Sequence, residues 1–358
     1  MTPLLLRAAV GSREGGRVHA FVFTFSAMFL WFFAAVALGQ APARQPQQQL
    51  GGPAGAVREV TVTAIPGVVA AGATWSLVWQ GTDNADGIVG TDDGGLLFAQ
   101  EQPNRISKLD QNDKVSVFVQ NTRGAGSVSL DARGRLVAAQ RTCTDPGRRE
   151  PCPEPPAIGV IYPEGERRIL AERFQGQSIG RPNDLVASRQ GTVYFTSGGA
   201  FSISPSGTVA RVGTNLRTNG IMLSPDEKIL YVTNGPVVVA FDVQGDGTVR
   251  NQRNFAKLEA GGAGDGLAVD AAGRLYVTSA PGVQVFSAEG KYLGVIPTPR
   301  AVMSVAFSGP GKRTLYVSAA GALNADGTEV STPPGVRNNA KSLFKIPMLA
   351  QGFPGRAK

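Results

Sequence analysis

The sequence predicts an all-β protein folded as a six-bladed β-propeller, and two observations support this fold class. Beyond residue 58 the chain shows almost no helical periodicity, and short runs of alternating apolar residues are interrupted by Gly, Asp, Asn and Pro. One strand pattern also occurs six times, which is typical of a repeat architecture. The six copies are LLFAQ (96–100), LVAAQ (136–140), VYFTS (193–197), LYVTN (230–234), LYVTS (275–279) and LYVSA (315–319).

Each copy belongs to a larger repeating unit. A short apolar strand and a turn rich in Gly or Asp precede it, and a further strand follows it in most units. Strand, turn, strand and a further hairpin make one four-stranded blade, so six units in phase favour a propeller over a β-sandwich or two barrels. The sixth unit lacks a clear fourth strand. We expect residues 59–65 (EVTVTAI) to supply that strand from the N-terminal side and to close the ring.

The N-terminal part of the chain predicts export. Residues 1–39 combine three arginines, the uncharged stretch Ala20–Leu38 and small residues at its end, which is the pattern of a secretory signal. The stretch is also long enough to span a bilayer, so a signal anchor is the alternative. Residues 40–58 are rich in Pro, Gln and Gly, which predicts a flexible linker to the propeller at 59–358. We therefore expect a periplasmic or secreted protein, with membrane attachment only through an uncleaved N-terminal segment.

The composition excludes several classes of function. The chain has one histidine, His19, and it lies in the predicted signal, so the mature protein cannot use Ser-His-Asp, Cys-His or HExxH chemistry. The net charge is +8, but the basic residues are scattered without interleaved aromatics, so we expect no nucleic-acid partner. Cys143 and Cys152 lie in a Pro-rich polar stretch, and in an oxidising compartment they predict a disulfide.

Polar residues recur at one position of the repeat. Eight residues before the turn position that is usually Gly, the six units carry Asp86, Gly126, Asn183, Asn219, Asp265 and Met303. These positions open the first strand of each blade, and the first strands of a propeller line its central channel, so the side chains are expected to converge. Two carboxylates and two amide oxygens predict a hard cation, Ca²⁺ first, with Mg²⁺, Mn²⁺ and Zn²⁺ as alternatives. The competing interpretation is that Asp and Asn are ordinary turn residues before Gly.

Four segments carry a resemblance to a known family. They are RPNDLVASRQGTVYFT (181–196), TNGIMLSPDEKILYVTN (218–234), GDGLAVDAAGRLYV (264–277) and SVAFSGPGKRTLYVSA (304–319). Together they resemble the gluconolactonase/regucalcin (senescence marker protein-like) family of six-bladed propellers. The resemblance implies one divalent ion, usually calcium, in the channel.

The resemblance also assigns roles to individual residues. By motif it implies that Asn183, Asn219 and Asp265 are metal ligands and that Arg181 contacts the substrate. The first ligand of the family is a Glu, and here Asp86 takes its place with a side chain one methylene shorter.

The sequence departs from the family pattern at three further places. Gly126 replaces the usual Asn of the second blade, and Ser197 replaces an Asp of the third. The Glu-His pair that follows the second strand of the second blade reads Gln140-Arg141. The ligand set is therefore better preserved than the substrate contacts.

Two functions are consistent with these residues. The first is a metal-dependent lactonase that hydrolyses a small-molecule sugar lactone. In it the ion polarises the carbonyl, Asp265 is ligand and general base, and Arg181 and Asn183 orient the substrate. The second is a non-catalytic exported propeller in which calcium is structural and the surface binds a ligand or a protein partner.

Overall fold

The computed structural model describes residues 57–142 and 154–355, and these residues form a six-bladed β-propeller, as the repeats predict. The predicted export signal, most of the predicted linker and both cysteines, Cys143 and Cys152, lie outside the described residues, so those interpretations stay predictions. In the described part, no helix has the length and apolar character needed to cross a membrane.

Strand β1 (Ser76–Gly81) precedes the first blade and belongs to the last one. The next five blades are antiparallel sheets of four strands joined in chain order. The first blade contains β2 (Asp86–Gly90), β3 (Leu96–Gln100), β4 (Arg105–Leu109) and β5 (Val115–Gln120), and the second contains β6 (Ala125–Leu130), β7 (Leu136–Gln140), β8 (Ala157–Tyr162) and β9 (Arg168–Ala171). A two-stranded hairpin of β10 (Arg173–Phe174) and β11 (Gln177–Ser178) leads to the third blade, which contains β12 (Leu185–Ala187), β13 (Val193–Thr196), β14 (Ala200–Ile203) and β15 (Val209–Val212). The fourth blade contains β16 (Thr218–Leu223), β17 (Ile229–Asn234), β18 (Val237–Val243) and β19 (Val249–Lys257), and the fifth contains β20 (Leu267–Val269), β21 (Leu275–Ser279), β22 (Gly282–Phe286) and β23 (Tyr292–Pro297).

The sixth blade has the strand order β1-β26-β25-β24. Its later strands are β24 (Val302–Ser308), β25 (Thr314–Ala320) and β26 (Lys341–Pro347). Two short 3₁₀ helices, Glu164–Glu166 and Pro310–Lys312, complete the described elements. The six recurring strands of the sequence analysis are the second strands of the six blades. Because a second strand has a neighbour on each side and a blade on each face, these strands are almost entirely buried.

The strand that closes the ring was assigned wrongly from the sequence. The outer strand of the sixth blade is β1, paired with β26 from Ser76 opposite Lys345 to Gly81 opposite Lys341, and not residues 59–65. That segment packs on the propeller without following the alternation: Val62 and Ile65 are buried in the apolar cluster between the fifth and sixth blades, whereas Ala64 is exposed. Closure by a strand from the N-terminal side is confirmed, while its position is shifted along the chain.

Inner strands contact one another around a closed cycle, β2, β6, β12, β16, β20 and β24, which defines the central channel. We call the end at which these strands begin the upper end. The connections between second and third strands, and those between successive blades, also lie at the upper end. The turns between first and second strands and between third and fourth strands lie at the lower end.

The last described residues cross the lower end of the channel. Gln351 accepts a hydrogen bond from the amide of Ala271 at 2.8 Å, and Gly352 donates to the carbonyl of Lys312 at 2.8 Å. The ring of Phe353 then lies 6.0 Å from the guanidinium of Arg189 in the third blade. This segment therefore covers part of the lower end of the channel.

Candidate functional site

The four predicted ligands meet at the upper end of the channel. Asp86 begins β2, Asn219 is the second residue of β16, and Asn183 and Asp265 lie two residues before β12 and β20. All four line one cavity of about 10 Å³. That is roughly the space that a single water molecule needs, and a metal ion is of comparable size. The remaining lining residues are Gly87, Ser127, Asp184, Gly266, Ser304 and Val305.

Glycines allow the inner strands to approach this closely. A Cβ at Gly87 would lie 2.3 Å from the Cα of Ser127 in the next blade, and one at Gly220 would lie 2.1 Å from the carbonyl oxygen of Asp265. A Cβ at Gly266 would lie 2.6 Å from the carbonyl oxygen of Met303. The Asp-Gly and Asn-Gly pairs are therefore required by contact between blades, and not only by turn geometry.

Asp86 is fixed through one of its two carboxylate oxygens. Oδ1 accepts hydrogen bonds from the Ser304 hydroxyl at 2.5 Å and from the Gly87 amide at 2.9 Å. Oδ2 lies 3.9 Å from Nη1 of Arg141. The carboxylate is thereby oriented by neighbours from its own blade and from the two adjacent blades.

The two amide ligands are linked to each other and to Arg141. Nδ2 of Asn183 makes a close contact with Oδ1 of Asn219. Nη2 of Arg141 donates to Oδ1 of Asn183 at 2.8 Å and to its carbonyl oxygen at 3.0 Å. Since an amide oxygen has two lone pairs, Oδ1 of Asn183 can accept from Arg141 and still ligate a cation.

Arg141 also belongs to a buried ionic network. Its Nη1 donates to Oε2 of Glu101 at 2.9 Å, and Nη2 of Arg181 donates to Oε1 of the same carboxylate at 2.6 Å. Glu101 is only 1% exposed. Burial lowers the pKa of Arg141, but attraction to Glu101 and Asp86 outweighs it, so the net shift is upward. Burial and repulsion by Arg141 lower the pKa of Arg181.

The guanidinium of Arg141 fills the space left by Gly126. A Cβ at Gly126 would lie 2.1 Å from Cζ of Arg141 and 2.3 Å from its Nε. Gly126 occupies the position at which the gluconolactonase/regucalcin family usually has an Asn in the second blade. In this chain the second blade thus contributes a guanidinium to the ring where an amide is expected.

Asp184, next to Asn183, has a structural role. Its carboxylate accepts hydrogen bonds from the Ser127 hydroxyl at 2.7 Å, the Leu185 amide at 2.9 Å and the Ile221 amide at 3.0 Å. These donors belong to the second, third and fourth blades. Asp184 therefore joins three inner strands directly beside the ring.

Two further cations lie at the upper end. Lys341, the first residue of β26, is 5% exposed, and its Nζ donates to the carbonyls of Asn339 at 3.2 Å and Ala340 at 3.4 Å. Burial lowers the pKa of Lys341 to about 8, with repulsion by Arg337 acting in the same direction and attraction to Asp86 and Glu101 opposing both.

Three charged residues at this end of the channel were not predicted from the sequence: Glu101, Arg337 and Lys341. For Glu101 a signal exists, because it directly follows the second strand of its blade, the position that Arg141 holds in the next. Ser197, at the third-blade departure, does not replace the family's Asp as a site residue: its hydroxyl donates to the carbonyl of Ile179 at 2.5 Å.

The donor set fits a hard divalent cation. Two carboxylates and two amide oxygens surround a space of single-ion size, and no softer ligand is among the residues that line it. A grouping of three or more His, Cys, Asp or Glu side chains suited to a metal is absent from residues 57–142 and 154–355. The candidate site differs from such a grouping because amides supply half of its ligands.

Comparison with known proteins gives a family match and two lactonase relatives. The family model described as "SMP-30/Gluconolactonase/LRE-like region" matches residues 84–321. The chain is 28% identical over 269 residues to a gluconolactonase of Zymomonas mobilis, covering 63% of this chain and 72% of the relative. It is 30% identical over 278 residues to the pentonolactonase XacC of Haloferax volcanii, covering 74% of this chain and 90% of the relative.

Solved structures agree with the fold. A gluconolactonase of Xanthomonas campestris superposes with a TM-score of 0.65 at 23% identity, covering 84% of this chain and 99% of that structure. A regucalcin of Agrobacterium tumefaciens, described as a calcium-binding protein, superposes with a TM-score of 0.59 at 15% identity, covering 77% and 94%. The family match spans more than half of the chain, including the four ring residues and Arg181. The chain therefore belongs to the SMP-30/gluconolactonase/LRE-like family.

Proposed function

We propose that this protein is a metal-dependent lactone hydrolase that acts on a sugar lactone. The observation that carries the proposal is the convergence of Asp86, Asn183, Asn219 and Asp265 on one cavity of about 10 Å³ at the upper end of the channel. The names of the two relatives, gluconolactonase and pentonolactonase, support the substrate class.

The four converging side chains would hold the divalent ion, with Ca²⁺ favoured by the all-oxygen donor set. When bound, such an ion supplies electrostatic stabilisation for the lactone carbonyl as water attacks it. Hydrogen bonds within the chain orient two of the ligands in the absence of the ion. Ser304 and Gly87 orient Asp86, and Arg141 fixes the amide of Asn183.

Asp265 is the residue that we assign as general base, in line with the family resemblance. Asp265 lies in the segment GDG (264–266), which carries that resemblance, and it lines the cavity together with Asp86, Asn183 and Asn219. Asp265 removes the proton of the attacking water in this proposal.

Arg181 and Asn183 orient the substrate. Arg181 is about one-third exposed, while its partner Glu101 is buried, so the guanidinium is held by Glu101 and is still partly accessible to solvent. A guanidinium held in this way presents donors to the ring oxygens of a lactone without losing further conformational entropy.

The location that we propose is outside the cytoplasm, periplasmic or secreted. Its support is the signal pattern of residues 1–39 alone.

The decisive experiment compares wild type with Asp265→Asn on five- and six-membered aldonolactones, with and without a chelator. The amide keeps an oxygen for the ion but is not a base, so we expect hydrolysis to fall by about 10²–10⁴-fold. The rise of the melting temperature with Ca²⁺ should persist in the variant. Asp246→Asn, in an exposed turn, is the matched control and should retain full activity.

The same measurements distinguish the lactonase from the alternative function, a non-catalytic propeller that binds calcium. A calcium-dependent melting temperature without turnover of any lactone or aryl ester would reject the enzyme and support a calcium-binding scaffold. Equal activity of Asp265→Asn and wild type would support the lactonase function but reject Asp265 as its general base.

A further inference from the structure

Arg141 contacts two of the four proposed ion ligands. Its Nη2 donates to Oδ1 of Asn183 at 2.8 Å, and its Nη1 lies 3.9 Å from Oδ2 of Asp86. Arg141 is only 5% exposed, so these contacts lie inside the protein, where solvent screens charges weakly. The end of the second strand of the second blade thus brings a positive charge to side-chain oxygens of two proposed ligands.

The two oxygens that Arg141 contacts are those that an ion would also use. Oδ1 of Asp86 already accepts hydrogen bonds from the Ser304 hydroxyl and the Gly87 amide, so Oδ2 is the oxygen with more capacity for an ion. The amide of Asn183 has a single side-chain oxygen, Oδ1. Arg141 and an ion would therefore share both oxygens, and the positive charge of each would oppose the binding of the other.

The position of the Arg141 guanidinium is fixed by the fold. Its Nε donates to the carbonyl of Pro182 at 3.0 Å, its Nη1 to Oε2 of Glu101 at 2.9 Å, and its Nη2 to the carbonyl of Asn183 at 3.0 Å. On one side the group packs against Gly126, where a Cβ would lie 2.1 Å from Cζ. A guanidinium held through all three nitrogens keeps its charge beside the ligands when an ion binds.

A fixed positive charge at shared ligands weakens the binding of a cation. The repulsion between a unit charge and a divalent ion on one oxygen exceeds the contribution of a single hydrogen bond, even at an effective dielectric constant of about 20. This repulsion therefore outweighs the benefit of the hydrogen bond that orients Asn183. The affinity of oxygen sites for Ca²⁺ also follows the number of charged ligands, and one of the carboxylates here, Asp86, is shared with a guanidinium.

We propose that Arg141 keeps the affinity of this site for its divalent ion low, with a Kd for Ca²⁺ of about 10⁻⁴–10⁻³ M, the range of extracellular calcium-binding modules. The inference rests on the proposed function, because the ion is the one that the lactonase would use. A site of this affinity is filled only where Ca²⁺ is abundant. The calcium concentration outside the cytoplasm, the location that we propose, would then regulate lactone hydrolysis.

The test measures Ca²⁺ binding directly by isothermal titration calorimetry, so it does not depend on hydrolysis of a lactone. Arg141→Gln removes the positive charge and keeps an amide that can donate a hydrogen bond. We expect its Kd for Ca²⁺ to fall by about ten- to a hundredfold. Arg141→Lys keeps the charge and loses the planar fork, so it should bind Ca²⁺ no more tightly than wild type.

Arg133→Gln is the matched control, because it removes one positive charge from an exposed turn at the lower end. Its Kd should equal that of wild type, which separates a charge at the ligands from an effect of net charge. The Kd of the wild-type protein is a second measurement, which decides where Arg141→Gln folds poorly after Glu101 loses a partner. A wild-type Kd below about 10⁻⁶ M would overturn the low-affinity site.

The outcomes separate this inference from the proposed function. Tighter Ca²⁺ binding by Arg141→Gln than by Arg141→Lys and wild type supports the inference, even if no lactone is hydrolysed. Weaker or unchanged binding by Arg141→Gln would show that Arg141 serves only to orient Asn183, which overturns the inference and leaves the lactonase intact. Absence of Ca²⁺ binding in wild type and in both variants would overturn the inference together with the calcium dependence of the proposed function.

Discussion

Glu101 and Arg141 hold the same position in successive blades, directly after the second strand, and their side chains pair at 2.9 Å. The repeat therefore places opposite charges at equivalent sites and joins two blades through them at the upper end. Arg181 completes the network from the third blade through the other oxygen of Glu101. One buried carboxylate thus holds the guanidinium that fixes Asn183 and the guanidinium that we assign to the substrate.

Glu101→Gln should strongly destabilise the fold. It leaves two buried or half-buried guanidiniums close together without their carboxylate, and losing one partner of a buried ion pair costs about 3–5 kcal/mol. Denaturant unfolding measures the loss in the free energy of unfolding. Glu164→Gln removes a carboxylate that is 81% exposed, and it should change that free energy by less than about 0.5 kcal/mol. Similar effects of the two substitutions would contradict the network.

Gly126→Ala should act through Arg141. The added Cβ overlaps the guanidinium, so we expect a loss of about 1–3 kcal/mol in the free energy of unfolding. Gly245→Ala, at a position with open space and no left-handed backbone, is the matched control and should be close to neutral. In a double-mutant cycle, Gly126→Ala should cost less when Arg141 is Ala than when it is present. Strict additivity would show that the two positions do not compete for space.

Calcium should raise the melting temperature of the wild-type protein, and a chelator should lower it. A ligand that binds only the folded state stabilises it by about 2.7 kcal/mol at a hundredfold excess over Kd. Asp86→Ala should reduce the shift, and Asp86→Glu should retain most of it because Glu restores the carboxylate of the family pattern. Asp246→Asn is the control and should behave like wild type. A melting temperature indifferent to Ca²⁺, Mn²⁺ and chelator would argue against an ion in the ring.

Lys341 should make stability depend on pH in the alkaline range. Its pKa is about 8 in the folded state against an ordinary value of 10.5, so the folded protein binds fewer protons than the unfolded chain between these values. The free energy of unfolding of wild type should therefore rise with pH through this window relative to Lys341→Met. The charged groups that influence Lys341 are Arg337, Asp86 and Glu101.

The measurement for this prediction is urea unfolding of both proteins from pH 7 to pH 10.5. The advantage of Lys341→Met should be largest below pH 8 and should shrink above it. A difference that is constant across the range would contradict a buried ammonium at this position.

Most of the fold is readable from the sequence because each blade is a local structure. Its second strand is buried on every side, which leaves a continuous apolar signal such as that of β7 or β25. The closing strand was misplaced because β1 is half-exposed and its pattern is weak, whereas residues 59–65 alternate well. Val62 and Ile65 are buried against the propeller without strand pairing, and Ala64 is exposed, so the alternation of apolar residues in this segment does not mark a strand.

The four proposed ion ligands of the candidate site can also be predicted from the sequence. The ring residues share one repeat position, so Asp86, Asn183, Asn219 and Asp265 could be found by alignment of the units. Lys341 could not, because it follows the long connection between β25 and β26 and comes near Asp86 and Glu101 only when the sixth sheet closes. The spacing of residues along the chain does not reveal neighbours that tertiary structure brings together.

Closure of the sixth blade by β1 and β26 also bears on how the protein folds. The other blades pair strands that are near in sequence, so each can form early in folding. Strand β1 cannot pair until β26, the last strand of the described chain, is in place. Until then β25 is an open edge and the apolar faces of the first and fifth blades stay exposed, a state prone to aggregation. A chain that ends before β26 is therefore expected to remain an open, aggregation-prone array of blades and not to form a slightly shorter propeller.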